Sequence, residues 1–524
     1  MLDLLVRDAL VVDGRCGAPF VASVGVADRR IVSIDRGEDA RARDGEAGRA
    51  AGVVNADGLV IAPGFIDVHT HSDVAPFTDS WMDSALRQGV TTVVVGNCGM
   101  SAWPREGLPE LASFLGIDPE VLPVWREFGE YLDAVDRARP ACNVAVLVGF
   151  GSLRTHAMGH EPRAATAAEI GVMRQLLDEA MQAGALGMSS GLEYVPGMYA
   201  TAEEVAAVVA AAAPYGGLYA THKRAEGQLV FDAVREAAAI AQRGGVHGHV
   251  SHLKLASRCV WGQTDELLAL IDATGLTADQ YPYVAWESSL ASFLPPWAPV
   301  DKLPTLLADS AARARLARVI EEGEPGWESS VADFGWESIV LEATDASLAD
   351  RDMASVAAER GVAPVDLTLD LLCQDPGVRV RGRGMDEDDV RAILARPDIL
   401  VASDGIAVSP EGPLWGTPLH PRSYGAFPRV LGRYVREGAL LSLEAAVRKM
   451  TALPAETFGL SGRGVIAEGA IADLVLFDPA TVADRAEFGD THRYPEGVAA
   501  VIVNGRVAWD GERRERAGRV LRRG

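Results

Sequence analysis

Five separated stretches of this chain each bring a metal-binding side chain to the end of an apolar, β-branched or small-residue run. They are Gly64-Phe65-Ile66-Asp67-Val68-His69-Thr70-His71, Gly96-Asn97-Cys98-Gly99, Ala220-Thr221-His222, Val250-Ser251-His252 and Ala402-Ser403-Asp404-Gly405. Each is followed by a loop. Donor groups at the C-terminal ends of successive parallel strands describe a (β/α)8 barrel with a metal at its mouth. The expected fold is therefore α/β: a TIM-like barrel, with a small β-sandwich domain built from both chain ends and an inserted lid subdomain.

The domain reading follows the texture of the chain. Short β-like runs with turn signals such as Asp13-Gly14 fill residues 1–60, and the same pattern returns over 465–524. Between them, over 61–464, strand-like and helix-like segments alternate. Barrel strands are expected to end near His69, Asn97, Gly149, Ser190, His222, His252, Tyr281 and Asp404, with helices clearest at 167–184, 202–213, 228–243 and 443–450. The gap from Tyr281 to Asp404 is too long for one strand–helix unit, so about 285–350 reads as an insertion over the barrel mouth.

The donor types narrow the metal. Imidazole with thiolate favours zinc over magnesium or calcium. In His69-x-His71 both rings can face one side, because side chains alternate along a strand. A lone histidine is more often structural, but the chain has only 10 and four lie at inferred strand ends. His69, His71, Cys98, His222, His252 and Asp404 are the candidate ligands. A carboxylate at Asp404 can also accept a proton from water. His156, His160, His247 and His249 are assigned structural roles.

Composition limits the partners. The 524 residues carry a net charge of -24, which disfavours nucleic acid and anionic membrane surfaces. No run of about 18 uncharged apolar residues appears, so no membrane span is expected. The N-terminus reads as a strand, not a secretory signal. Five scattered cysteines argue against a disulfide framework and for a cytoplasmic protein.

The chain resembles the amidohydrolase superfamily, and within it the N-acyl-D-amino-acid deacylases (D-aminoacylases). Pro63 to Asp73 marks the superfamily. The cysteine loop, Leu192-Glu193-Tyr194 and His420-Pro421-Arg422 together point to the branch, and the resemblance also runs through Ser251-His252-Leu253-Lys254, Asp279-Gln280-Tyr281-Pro282-Tyr283 and Gly425-Ala426-Phe427-Pro428-Arg429. No lysine precedes Lys223. The carboxylated lysine by which related cyclic-amide hydrolases bridge two metals therefore cannot come from strands 1 to 4, and Cys98 looks like its replacement.

The resemblance implies a tight zinc on Cys98, His222 and His252, and a second, weaker position on His69, His71 and Asp404. It implies Asp404 as general base and then acid, with Tyr194 steadying the oxyanion. Lys254, Tyr283 and Arg422 would hold the free α-carboxylate of a small-molecule N-acyl amino acid. The implied reaction is zinc-dependent hydrolysis of the amide of N-acyl-D-amino acids. The alternatives are a D-peptidase or cyclic-amide hydrolase on the same scaffold, or a non-catalytic binding barrel; an oligomer is compatible with all three. Two departures bear on the pocket: Phe150 stands where the family commonly has histidine, and residues 406–417 form a longer loop, expected to reshape the pocket.

Overall fold

The computed structural model describes residues 1–36, 50–342, 345 and 347–523. Five strands open the chain: β1 (Leu4–Val11), β2 (Phe20–Ala27), β3 (Arg30–Arg36), β4 (Gly52–Asn55) and β5 (Val60–Pro63). β1, β2 and β3 pair antiparallel, while β4 and β5 both run parallel to the other edge of β1.

The barrel wall begins with β6 (Phe65–Asp67) and β7 (Val90–Val95). It continues through β8 (Asn143–Val146), β9 (Val148–Gly149), β10 (Gly187–Gly191), β11 (Leu218–His222), β12 (His247–Val250) and β13 (Thr277–Gln280). A unit carrying β14 (Ala285–Ser289), β15 (Ile339–Glu342) and β16 (Arg379–Arg383) intervenes before β17 (Ile399–Val401) completes the wall. β8 and β9 are one wall strand interrupted at Leu147, so eight parallel strands result. Backbone bonds from Asp404 N–H to His69 O and from His71 N–H to Gly405 O, both 2.8 Å, close the circle.

The strand period of two sorts the wall residues. Ile66, Val68, Val94, Leu218, Ala220 and Leu400 point inward and pack on Phe458 and Leu460. Their neighbours Phe65, Val93, Val95, Tyr219, Ile399 and Val401 point outward against the helices. The helices have clear local causes. Thr166 and Glu169 form a capping box at the start of Ala167–Ala183, and Gly184 in the left-handed region ends it.

β18 (Leu474–Phe477), β19 (Val498–Val503) and β20 (Arg506–Trp509) extend the first sheet in the order β20-β19-β18-β5-β1-β2-β3. Leu474, Leu476 and Ile502 face this sheet's own core with Leu4, Val24 and Ile31. Val475, Phe477, Val501 and Val503 face the barrel's outer core. Ile31 N–H donates to Ala470 O at 2.9 Å and Ala472 N–H to Arg29 O at 2.8 Å, so the sheet curls around its core. β21 (Val520–Leu521) leaves this sheet and pairs with β8, while Arg523 N–H reaches Gly184 O at 3.0 Å. The chain end thus fills the splay between β8 and the start of β10.

The inserted unit has a separate core that includes Leu290, Phe293, Leu316, Leu341, Leu372 and Val380. It reaches from β14 to β16, past the 350 boundary read from sequence. Helix Pro364–Gln374 and β16 look like another strand–helix unit in sequence, yet they are spent covering this core. Among the described residues, no helix is long and apolar enough to cross a membrane.

Candidate metal centre and active site

Three of the six candidate donor residues leave the strand ends through backbone that side-chain-bearing residues usually avoid. Cys98 (φ 52°), His252 (φ 36°) and Asp404 (φ 51°) are all left-handed, which costs on the order of 1–3 kcal/mol each. Local contacts hold them there. Gly96 (φ +81°) and Gly99 (φ +76°) flank Cys98, where an added Cβ would lie 2.0 Å from Leu147 O or 2.6 Å from Gly191 N. Only glycine lets the cysteine loop press flat on the wall. Asp67 ties β6 to β17: its carboxylate accepts Ser403 Oγ–H at 2.5 Å and Ser403 N–H at 3.0 Å.

The donor atoms converge in two overlapping groups. Cys98 Sγ lies 3.9 Å from His222 Nδ1 and 3.7 Å from His252 Nε2, and those nitrogens are 2.9 Å apart. Asp404 Oδ1 lies 3.2 Å from His69 Nε2 and 3.3 Å from His71 Nε2. Cys98 Sγ joins this second group at 3.2 Å from His69 Nε2. A tetrahedral zinc holds its donors roughly 3.3–3.6 Å apart, given bonds of about 2.0–2.3 Å. The second group is close to that spacing, the first scatters about it from 2.9 to 3.9 Å, and all six residues are buried.

Acids behind the imidazoles set which nitrogen faces inward. His222 Nε2–H donates to Glu193 Oε2 at 2.8 Å, leaving Nδ1 free. His252 Nδ1 sits 3.1 Å from Glu226 Oε1 and 2.9 Å from Lys254 Nζ. A lysine donating to Nδ1 would leave the proton on Nε2, whereas Nδ1–H given to Glu226 is the state that frees Nε2. Asp279 accepts His249 Nε2–H at 2.9 Å and His252 N–H at 2.8 Å, and lies 3.6 Å from His69 Nδ1.

The electrostatics favour charged donors despite burial. Burial pushes the Cys98 thiol up, but the His69 charge and hydrogen bonds from His222 and His252 hold it well below its usual range. Burial likewise opposes ionisation of Asp404, yet Arg422, His69 and His71 hold its carboxyl well below the usual range. Both shifts favour the ionised thiolate and carboxylate. Tyr194 goes the other way: burial, with Glu193 and Cys98, raises its hydroxyl well above the ordinary value, so it stays a donor.

Residues 52–508 match the amidohydrolase family. The chain is 37% identical to D-aminoacylase, 36% to N-acyl-D-aspartate deacylase and 35% to N-acyl-D-glutamate deacylase, all of Alcaligenes xylosoxydans xylosoxydans. These similarities span 99%, 99% and 100% of this chain, and 98%, 95% and 97% of the relatives. The chain belongs to the amidohydrolase family, in its D-aminoacylase branch. A solved D-aminoacylase, studied for the role of its binuclear metal center, superposes with a TM-score of 0.83 at 34% identity over 100% of both chains. N-acyl-D-glutamate deacylase of Bordetella bronchiseptica, complexed with zinc and a phosphonate mimic of the tetrahedral intermediate, superposes at 0.81 with 33% identity over 99% of both.

In this amidohydrolase His71, Cys98, His222, His252 and Asp404 open on a cavity of about 590 Å³, lined also by Tyr194, Lys254 and Arg422. Tyr194 Oη lies 3.5 Å from both His222 Nδ1 and Ser288 Oγ. Lys254 Nζ pairs with Glu226 at 2.5 Å. Arg422 pairs with Asp404 Oδ2 at 2.8 Å and stacks over Tyr281 at 5.0 Å.

Two expectations change. Tyr283 is turned away from the cavity, packed edge-on against His420 at 5.1 Å and under the Arg429 guanidinium at 4.6 Å. β13 ends at Gln280, and the chain turns at Pro282, so alternation no longer carries position 283 to the mouth. Tyr281 lines the cavity instead. The 406–417 loop also stays off the cavity wall. It is fastened to the segment after β6, with Ala407 N–H on Ser72 Oγ and Val408 N–H on Ser84 Oγ, both 2.9 Å.

Four of the acids went unassigned in the sequence. Glu226 follows His222 by four residues and Glu193 precedes Tyr194, so proximity to the motifs was the available signal. Asp279 heads the Asp-Gln-Tyr-Pro-Tyr run. Glu287 arrives on β14 from the inserted unit, and no local pattern marks it. Its carboxylate lies 3.4 Å from Arg379 Nη1 and 3.7 Å from Arg422 Nη2. His156 and His160 pair with Glu106 at 2.8 Å and Glu110 at 2.6 Å, and the second pair also lines the cavity.

Proposed function

We propose that this protein is a zinc-dependent deacylase that splits N-acyl-D-amino acids into a carboxylate and a D-amino acid. The observation that carries this is one cavity holding three things together: a thiolate–imidazole–carboxylate donor set, a buried tyrosine hydroxyl and a lysine–arginine pair. A linear amide with a free carboxylate matches that set. The relatives named above act on N-acyl-D-amino acids by name, and one holds zinc with a mimic of the tetrahedral intermediate. The preference for the D series rests on them.

Cys98, His222 and His252 would hold the tighter zinc, and His69, His71 and Asp404 the weaker one. Zinc, when bound, supplies Lewis-acid polarisation of the acyl carbonyl. Asp404 accepts a proton from the attacking water and returns it to the amine nitrogen as the C–N bond breaks. The Tyr194 hydroxyl donates to the oxygen that gains charge. Lys254 and Arg422 fix the α-carboxylate, and Arg422 exchanges its contact with Asp404 for the substrate as it does so. A reducing, cytoplasmic setting suits the five unpaired cysteines.

The test is amine release from N-acetyl-D- and N-acetyl-L-amino acids with zinc supplied. Release confined to the D series is expected. Release from neither series, with zinc demonstrably bound, would refute the proposal.

A further inference from the structure

Kinship leaves the substrate side chain undecided, because identities of 37%, 36% and 35% link the chain about equally to relatives named for different substrates. The cavity wall decides it. Among the described residues, Lys254 and Arg422 are the only lysine or arginine side chains lining it. Both are already committed, Lys254 to Glu226 at 2.5 Å and Arg422 to Asp404 at 2.8 Å. One charge-matched grip is consumed by the α-carboxylate. Asp301, Glu328 and Asp333 also line the cavity and have no ion-pair partner among the described residues. Nearby basic groups already have partners: Arg154 pairs with Glu204 at 3.1 Å, Arg224 with Glu236 at 2.9 Å and the wall residue His160 with Glu110 at 2.6 Å, while Arg258 lies over the ring of Phe334, another wall residue, at 4.7 Å.

Glu287 makes this arrangement selective. It reaches the cavity from the inserted unit, with a side chain 3% exposed. It stands 3.7 Å from the guanidinium that would hold the α-carboxylate. An aspartate or glutamate side chain places its second carboxylate within about 4–5 Å of the first. On the Arg422 side that group meets Glu287; on the Lys254 side it meets Glu226. A desolvated carboxylate without a cation is strongly disfavoured, whereas a neutral amide of the same shape is not.

We infer that the cavity admits N-acyl-D-amino acids with uncharged side chains and rejects D-aspartate and D-glutamate derivatives, and that Glu287 is a residue that enforces this choice. The inference rests on the deacylase proposal above. It commits the substrate class by charge and not by size, so the decisive pair is isosteric.

The experiment compares kcat/KM for N-acetyl-D-glutamine and N-acetyl-D-glutamate, with N-acetyl-D-leucine as the apolar reference, in the zinc-loaded wild type and in Glu287→Gln. A wild-type glutamine-to-glutamate ratio of about 30-fold or more is expected, falling at least about tenfold in Glu287→Gln. A smaller wild-type ratio overturns the charge exclusion, and an unchanged ratio in the variant overturns the role of Glu287. If the variant does not fold, wild-type inhibition decides: N-acetyl-D-glutamate should not compete with N-acetyl-D-glutamine at 30 times the latter's KM, and competition there overturns the inference. Release from none of the three would overturn the deacylase proposal, and this inference with it.

Discussion

The barrel mouth and the inserted unit are held together in opposite ways. At the mouth almost every important group is polar and buried. Cys98, His252 and Asp404 accept left-handed backbone, and Asp67, Asp279, Glu193 and Glu226 pin the donors from behind. The inserted unit stands on an ordinary apolar core of its own and meets the mouth through contacts that include Glu287 with Arg422, Ser288 with Tyr194 and Glu328 with Gly227 N–H. The mouth gives up stability for chemistry; the insertion packs around its own apolar cluster and lends the cavity a wall. A chain built this way can change its substrate by altering one region while leaving the other intact.

That division can be broken by experiment, beginning with the largest expected effect. Asp404→Asn should lower kcat by about 10³–10⁴-fold, because the proposed proton carrier is lost. Its zinc content should persist at the thiolate position. Activity within tenfold of wild type would remove Asp404 from the proton path. Cys98→Ala should weaken the tighter metal by at least about 100-fold, read as zinc retained after dialysis against a chelator. Unchanged retention would shift the tight site to the histidines alone.

Arg422→Lys comes next. An ammonium cannot reproduce a planar two-point grip, so KM should rise roughly 10–100-fold with a smaller change in kcat. A kcat loss without a KM change would place Arg422 in the proton-transfer step instead. The mildest effect on turnover belongs to Leu341→Ala in the inserted core. It should cost about 2–4 kcal/mol of that unit's stability, seen as an earlier thermal transition, with zinc content unchanged. Zinc loss in parallel would mean that the two regions do not stand independently.

Much of the mouth was legible in the chain because barrel strands obey a period of two and end in short loops. The expected end at His222 is the last residue of β11, and those at Gly149 and Ser190 fall at the ends of β9 and β10. His69, His71, Cys98, His222, His252 and Asp404 all announce themselves by residue type after an apolar run. Tyr283 was misplaced for a local reason, since Pro282 turns the chain once β13 has ended. The full extent of the insertion was hidden because β16 and the helix before it are amphipathic in the same way as a wall unit.

The sequence by itself pointed to the barrel and to the candidate donor residues at its strand ends. These depend on patterns within a few residues of each other. Only the tertiary structure decided which acid orients each imidazole, that Tyr281 and not Tyr283 faces the cavity, and that Glu287 stands beside Arg422. Those relations join residues far apart in the chain, such as Glu287 and Arg422, and they are set by how separately folded pieces pack. A strand's periodicity is written along the chain; the direction from which an inserted unit reaches a cavity is not.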